Sequence, residues 1–168
     1  QGAKPNAPVF QDSDLDATLS TRPIVVLGDV GVGKTSFFEN LSFQIDTTHR
    51  EDTIFLHINL GQKGTITTDL RGFIIDEIVE LLKSNYDINI DADNFSKSAH
   101  YKALSDFDEG PNGKLKELDR GQYELRKIDY LNDLISDRAA HLTKALAHLC
   151  HGRKKQIILV LDNADQRS

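Results

Sequence analysis

Gly28-Asp29-Val30-Gly31-Val32-Gly33-Lys34-Thr35 constrains this chain more than any other stretch. It satisfies G-x-x-x-x-G-K-[ST], and its flanks suit what that spacing demands. Ile24-Val25-Val26-Leu27 before it is a short β-branched apolar run that reads as a buried strand. Ser36-Phe37-Phe38-Glu39-Asn40-Leu41 after it can continue as a helix. The glycines allow φ > 0 and bring backbone N–H groups against phosphate oxygens. The helix N-terminus adds its positive dipole end to the same place. Gly28, Asp29, Val30, Gly31, Val32 and Gly33 are therefore the expected phosphate cradle, continued by Lys34, Thr35 and Ser36. Lys34 is expected to reach the β- and γ-phosphates and to act in catalysis. The Thr35 hydroxyl is expected to take one position on Mg²⁺.

A second apolar run, Gln156-Ile157-Ile158-Leu159-Val160-Leu161, ends in Asp162-Asn163-Ala164-Asp165. Such a run suits a parallel strand covered on both faces. A carboxylate at its C-terminal end lies where α/β sheets bind ligands, which is the form of a Walker B motif. Asp162 is expected to hold Mg²⁺, through water, since that ion keeps much of its hydration shell. Hydrolysis also needs a group that orients or deprotonates the attacking water. Asp165 can act as that base; Asn163 can only position water.

Between the motifs, Thr53-Ile54-Phe55-Leu56-His57-Ile58-Asn59-Leu60 predicts a strand. Thr68 or Asp69 is placed to cap a helix whose apolar positions Leu70, Phe73, Ile74, Ile78, Leu81 and Leu82 repeat at helical spacing. Lys83 to Gly121 is polar and weakly periodic, with a turn at Pro111-Asn112-Gly113, and reads as an insertion that is in part helical. Ile128, Leu131, Ile135, Leu142, Ala145 and Leu149 predict one long helix over about Tyr123–His151, interrupted at Arg138. Residues 1–20 read as a polar arm or linker, and residues 21–168 as a single nucleotide-binding domain.

The 168 residues suffice for one domain with a core, and the composition is that of a soluble globular chain. A formal charge of −6 gives no reason to expect nucleic-acid affinity. Arg153-Lys154-Lys155 reads as a solvated helix end. Cys150 is alone, so no intrachain disulfide is possible, which suits a reducing, cytoplasmic setting. No apolar run approaches the roughly 20 residues of a membrane span. The chain has no methionine, even at position 1, and is expected to be a piece of a longer protein.

The order Walker A strand, helix, extra strand at Thr53–Leu60, helices and Walker B strand resembles the additional-strand division of P-loop ATPases. That division includes AAA+ proteins, STAND ATPases and the KAP group. Asp162-Asn163-Ala164-Asp165-Gln166-Arg167 is similar in spacing to the Asp-Asp-Leu-Asp-Arg-like end of the KAP Walker B strand. It departs at Asn163, where AAA+ proteins usually carry Glu. Asn59 sits where several AAA+ proteins place a polar residue that contacts the catalytic acid. The resemblance implies a three-layer α/β P-loop sandwich with a mostly parallel sheet, ending here just after Walker B. It implies ATP and Mg²⁺ as ligands, ATP hydrolysis driving conformational change in a larger protein, and assembly as a homo-oligomer or with neighbouring domains.

Two other functions fit part of the chain. A Ras-like GTPase would share the first motif, and Asp69-Leu70-Arg71-Gly72 has the letters of its second, but the guanine-reading Asn-Lys-x-Asp is missing. A non-catalytic nucleotide switch would suit Asn163. His141, His148, Cys150 and His151 are metal-ligand types, yet His148 and His151 lie at i, i+3 with Cys150 elsewhere on the helix, so they read as dipole partners. His57 reads as a core or edge residue, not a catalyst.

Overall fold

The computed structural model describes residue 26 and residues 31–48, 51–61 and 69–163. The elements in chain order are α1 (Lys34–Thr48), β1 (Thr53–Asn59), α2 (Leu70–Tyr86), α3 (Asp93–Ala99), α4 (Tyr101–Glu109), a 3₁₀ turn (Pro111–Lys114), α5 (Leu115–Leu118), α6 (Arg120–Ser136), α7 (Arg138–Ala147), a π turn (His148–Gly152) and β2 (Gln156–Asp162).

Three helices start on an aspartate. Asp69, Asp119 and Asp137 each accept a hydrogen bond from the backbone N–H three residues on, at Gly72, Gln122 and Ala140 (2.8, 3.0 and 3.1 Å). Each satisfies one of the N–H groups a helix start leaves without an intrahelical partner. At Asp137 the backbone leaves the helical region (φ −78°, ψ 86°). The single helix expected over Tyr123–His151 is therefore two helices and a π turn, divided one residue before Arg138.

β1 and β2 pair in parallel, with Thr53 opposite Gln156 and Asn59 opposite Asp162. The pairing is bracketed by Gln156 N–H donating to Asp52 C=O (2.8 Å) and Leu60 N–H donating to Asp162 C=O (2.9 Å). Even-numbered peptide groups of β1 thus point toward β2, and Phe55 points to the opposite edge. There the Tyr86 hydroxyl accepts from Phe55 N–H (2.7 Å) and donates to Phe55 C=O (3.1 Å).

β1 is buried on both faces because its residues alternate between two apolar clusters. Ile54, Leu56 and Ile58 pack with Ile78 and Leu82 of α2, Phe95 of α3, and Leu142 and Ala145 of α7. Phe55 packs on the opposite face with Val160 of β2 and Phe38, Leu41 and Ile45 of α1.

The expected three-layer α/β sandwich is overturned. Helix makes up about 70% of the described residues, and their sheet has two strands, so this is a small, mostly helical domain. Val26, expected inside a buried strand, is 46% exposed and lies in no strand; the rest of that run falls outside the described residues. The helical excess comes largely from the stretch read as a polar insertion. Three of its apolar residues tie α3 and α4 to the rest: Phe95 and Leu104 are buried, and the Phe107 ring stacks on Tyr130 at 5.1 Å.

Polar side chains close the helical part. Tyr123, buried, donates to Asp108, whose carboxylate also accepts from Lys127 (2.7 and 2.8 Å). Burial alone would raise the Asp108 pKa, but the hydrogen bonds from Lys127 and Tyr123 outweigh it and hold the carboxyl below its usual range. His100 and His141 are buried as a stacked pair, with His100 Nε2 2.8 Å from His141 Nδ1. His141 Nε2 lies 3.1 Å from Ile90 C=O. A carbonyl only accepts, so His141 carries its proton on Nε2, and His100 donates to the free Nδ1. Burial, then the neighbouring His141 and Lys144, push the His100 pKa down.

Candidate phosphate and metal site

The C-terminal ends of β1 and β2 and the first turn of α1 meet at one corner. Side chains alternate along each strand, so His57 and Asn59 of β1 share the α1 face with Val160 and Asp162 of β2. Asp162 closes its strand and is buried. Its Oδ2 accepts a hydrogen bond from Thr35 Oγ1 at 2.9 Å, joining residues 127 apart in the chain. Its Oδ1 accepts from Asn163 N–H at 2.8 Å. The residues expected to share a metal are thus in direct contact.

Gly31 and Gly33 have φ of +86° and +87°. Among the described residues a Cβ on either would meet nothing within 4 Å, so the requirement for glycine is torsional. Phe37 N–H bonds to Gly33 C=O at 2.9 Å, so the helix begins at the loop. A helix start of this kind, with its dipole end and first-turn N–H groups, is the sort of place that suits an anion. Lys34 opens α1 and is half-buried, while Val32 and Ser36 are exposed. Gly28, Asp29, Val30 and Asp165 lie outside the described residues.

Asn163 adopts a left-handed backbone (φ 57°), which Asn tolerates better than most residues. Its Nδ2 donates to Asn59 Oδ1 at 2.8 Å, and the same oxygen accepts from Gly61 N–H at 2.9 Å. The strand-end pair Asn59 and Asn163 therefore ties the two strands together beside the carboxylate.

His57 is half-buried in β1, as a core or edge residue would be, and its Nε2 also lies 3.4 Å from Asp162 Oδ2, a contact the sequence did not indicate. That approach lacks hydrogen-bond geometry, and among the described residues Nε2 is buried with no hydrogen-bond partner. The Phe38 ring packs beside the imidazole at 6.0 Å. A cavity of about 360 Å³ opens here, with Thr35, His57, Asn59, Glu39 and Glu77 on its wall. The missed signal was parity: His57 sits two residues before Asn59, on the same side of the strand.

Elsewhere the candidate residues serve structure. Among the described residues, no three His, Cys, Asp or Glu side chains come together as a metal-binding group. His141 is bound to His100, and the His148 ring packs edge-on against Phe95. Burial raises the Cys150 pKa, which disfavours the thiolate. The basic run is used internally: Lys155 bonds to Glu51 C=O and Arg153 lies over the Phe95 ring at 4.9 Å. Asp69 and Gly72, the letters of a GTPase switch, bond to one another as a helix cap. A Cβ on Gly72 would fall 2.3 Å from Asp69 Oδ2. Among the described residues no helix is long and apolar enough to cross a membrane.

No family model, curated protein or solved structure matches this chain.

Proposed function

We propose that this corner binds a nucleoside triphosphate with a divalent cation, as a P-loop ATPase of the additional-strand division does. The observation that carries this reading is the Thr35–Asp162 hydrogen bond, because it unites a hydroxyl and a carboxylate beside a glycine loop and a helix start. Both oxygens are donors that suit Mg²⁺, and two protein ligands leave positions for water and phosphate, so the residues fit that ion. When bound, the cation neutralises charge developing on the phosphates. Lys34 supplies a further positive charge, and the amides of the Gly28–Gly33 loop orient the phosphate oxygens. Asp165 is the proposed base for water, and the proposed base preference is adenine. ATP hydrolysis would be coupled to movement of neighbouring domains or of further copies of this chain.

One observation favours a second reading, a nucleotide switch with negligible turnover. Asn163, next to the carboxylate, cannot accept a proton as a base and is already tied to Asn59. Titration with labelled ATP and GTP, with and without Mg²⁺, tests the shared part. ATP binding that requires Mg²⁺ and is lost in Asp162→Asn is the expected result; GTP preference would sink the ATP reading. Phosphate release at saturating ATP then separates the two, since a switch would bind without measurable turnover.

A further inference from the structure

We propose that His57 Nε2 is a third protein ligand of the cation at this corner, and that the site prefers Mn²⁺ to Mg²⁺. The inference rests on the proposed function only in taking Thr35 and Asp162 as metal donors.

Three observations lead to it. The first is the state of Nε2, a buried ring nitrogen with no hydrogen-bond partner among the described residues. Such a group costs about 1–3 kcal/mol, and folded proteins seldom leave one without a use. The second is spacing. Asp162 Oδ2 lies 2.9 Å from Thr35 Oγ1 and 3.4 Å from His57 Nε2. Neighbouring octahedral donors about 2.1 Å from one ion are separated by about 3 Å. Both Thr35 Oγ1 and His57 Nε2 thus lie at nearly the separation from Asp162 Oδ2 that adjacent ligands take. The third is the setting. The cavity beside these atoms carries Glu39 and Glu77 on its wall, and their carboxylates favour a cation there.

The donor set decides the ion. Mg²⁺ is hard and seeks oxygen, so a hydroxyl and a carboxylate suit it while an imidazole adds little. First-row transition ions accept imidazole nitrogen, and Mn²⁺ also accepts carboxylate, water and phosphate oxygen. A mixed nitrogen and oxygen set therefore moves the preference from Mg²⁺ toward Mn²⁺.

Electron spin echo modulation of Mn²⁺ added alone, and then with ATP, tests this on the 168-residue chain. The expected signal is a ¹⁴N coupling that changes when histidine is labelled with ¹⁵N, lost in His57→Gln and in Asp162→Asn. In competition, Mn²⁺ should bind at least about tenfold more tightly than Mg²⁺. His57→Gln should weaken Mn²⁺ about 10–100-fold and Mg²⁺ less than about threefold. His57→Phe, which keeps the ring's bulk, should behave as His57→Gln does. The isotope experiment needs no variant, so a variant that fails to fold leaves the test intact. Mn²⁺ bound through Asp162 without nitrogen coupling would overturn the inference, as would an unchanged Mn²⁺-to-Mg²⁺ ratio in His57→Gln. Mg²⁺-dependent ATP binding with no nitrogen coupling overturns the inference and leaves the nucleotide reading standing. Nitrogen coupling without ATP binding does the reverse. No Mn²⁺ binding under either condition overturns the inference outright.

Discussion

Two parts of this molecule bury imidazole, and they treat it in opposite ways. Between α3, α4 and α7, His141 has both ring nitrogens engaged, one with His100 and one with Ile90 C=O. At the strand ends, His57 has a buried nitrogen with no hydrogen-bond partner among the described residues, facing the Asp162 carboxylate. The first arrangement is closed: every bond needed for burial is made within the fold. The second is open among the described residues, and the cation proposed above is what would engage it. A buried histidine is informative about function only once its hydrogen bonds are counted.

The contrast can be broken at either end. The largest effect is expected at the open corner. Lys34→Ala removes a charged hydrogen-bond donor to phosphate and should weaken ATP at least about 100-fold in a fluorescence titration, with the melting temperature little changed. A wild-type-like affinity would remove Lys34 from the site.

Next comes the closed pair. His141→Ala leaves His100 Nε2 without its partner and Ile90 C=O with only the Ser96 hydroxyl, and should cost about 2–4 kcal/mol in urea unfolding. His57→Gln should cost less than about 1 kcal/mol, because it strands nothing that is bonded now. Equal losses from the two would erase the distinction.

Acidity should separate the regions as well. The His100 pKa is lowered in the fold from an ordinary value of 6.5, so the unfolded chain binds the proton more readily. Stability from neutral His100 is complete above about pH 6.5 and is lost as pH falls toward the folded value, by up to about 1.4 kcal/mol per pH unit. His148, lowered by burial and by Arg153, adds in the same direction. His100→Gln should flatten the slope of unfolding free energy between pH 6.5 and 5. An unchanged slope would locate the titration elsewhere.

The smallest expected effect lies at the divide between α6 and α7. Asp137→Ala removes the cap on Ala140 N–H and should cost about 1 kcal/mol. Asp137→Asn should recover most of it. A loss near zero would mean that the break between the helices is held by packing instead.

How much of this was legible follows from what local sequence can encode. β1, α2 and β2 were expected within one to four residues of their observed bounds, because alternation and helical spacing report burial on the scale of one element. Asp69 was legible as a cap for the same reason. The architecture was not. Residues 83–121 hold few apolar side chains, and Phe95, Leu104 and Phe107 direct a helix only through partners distant in the chain. The stripe over Tyr123–His151 read as one helix interrupted at Arg138, whereas the chain leaves the helix one residue earlier, at Asp137, which caps α7. At the corner, the motifs named Thr35 and Asp162, and their bond agrees with that pairing. His57 carries no motif; only the register of β1 against β2 brings it to Asp162.

The Tyr86 hydroxyl on the outer edge of β1 bears on solubility. A bare strand edge invites another chain to dock and propagate the sheet from molecule to molecule. Here an incoming strand would have to displace two hydrogen bonds at Phe55 before making its own, in the middle of the edge where a nucleus would form. One phenol, delivered by the last residue of a helix, thus acts as a stopper against polymerisation.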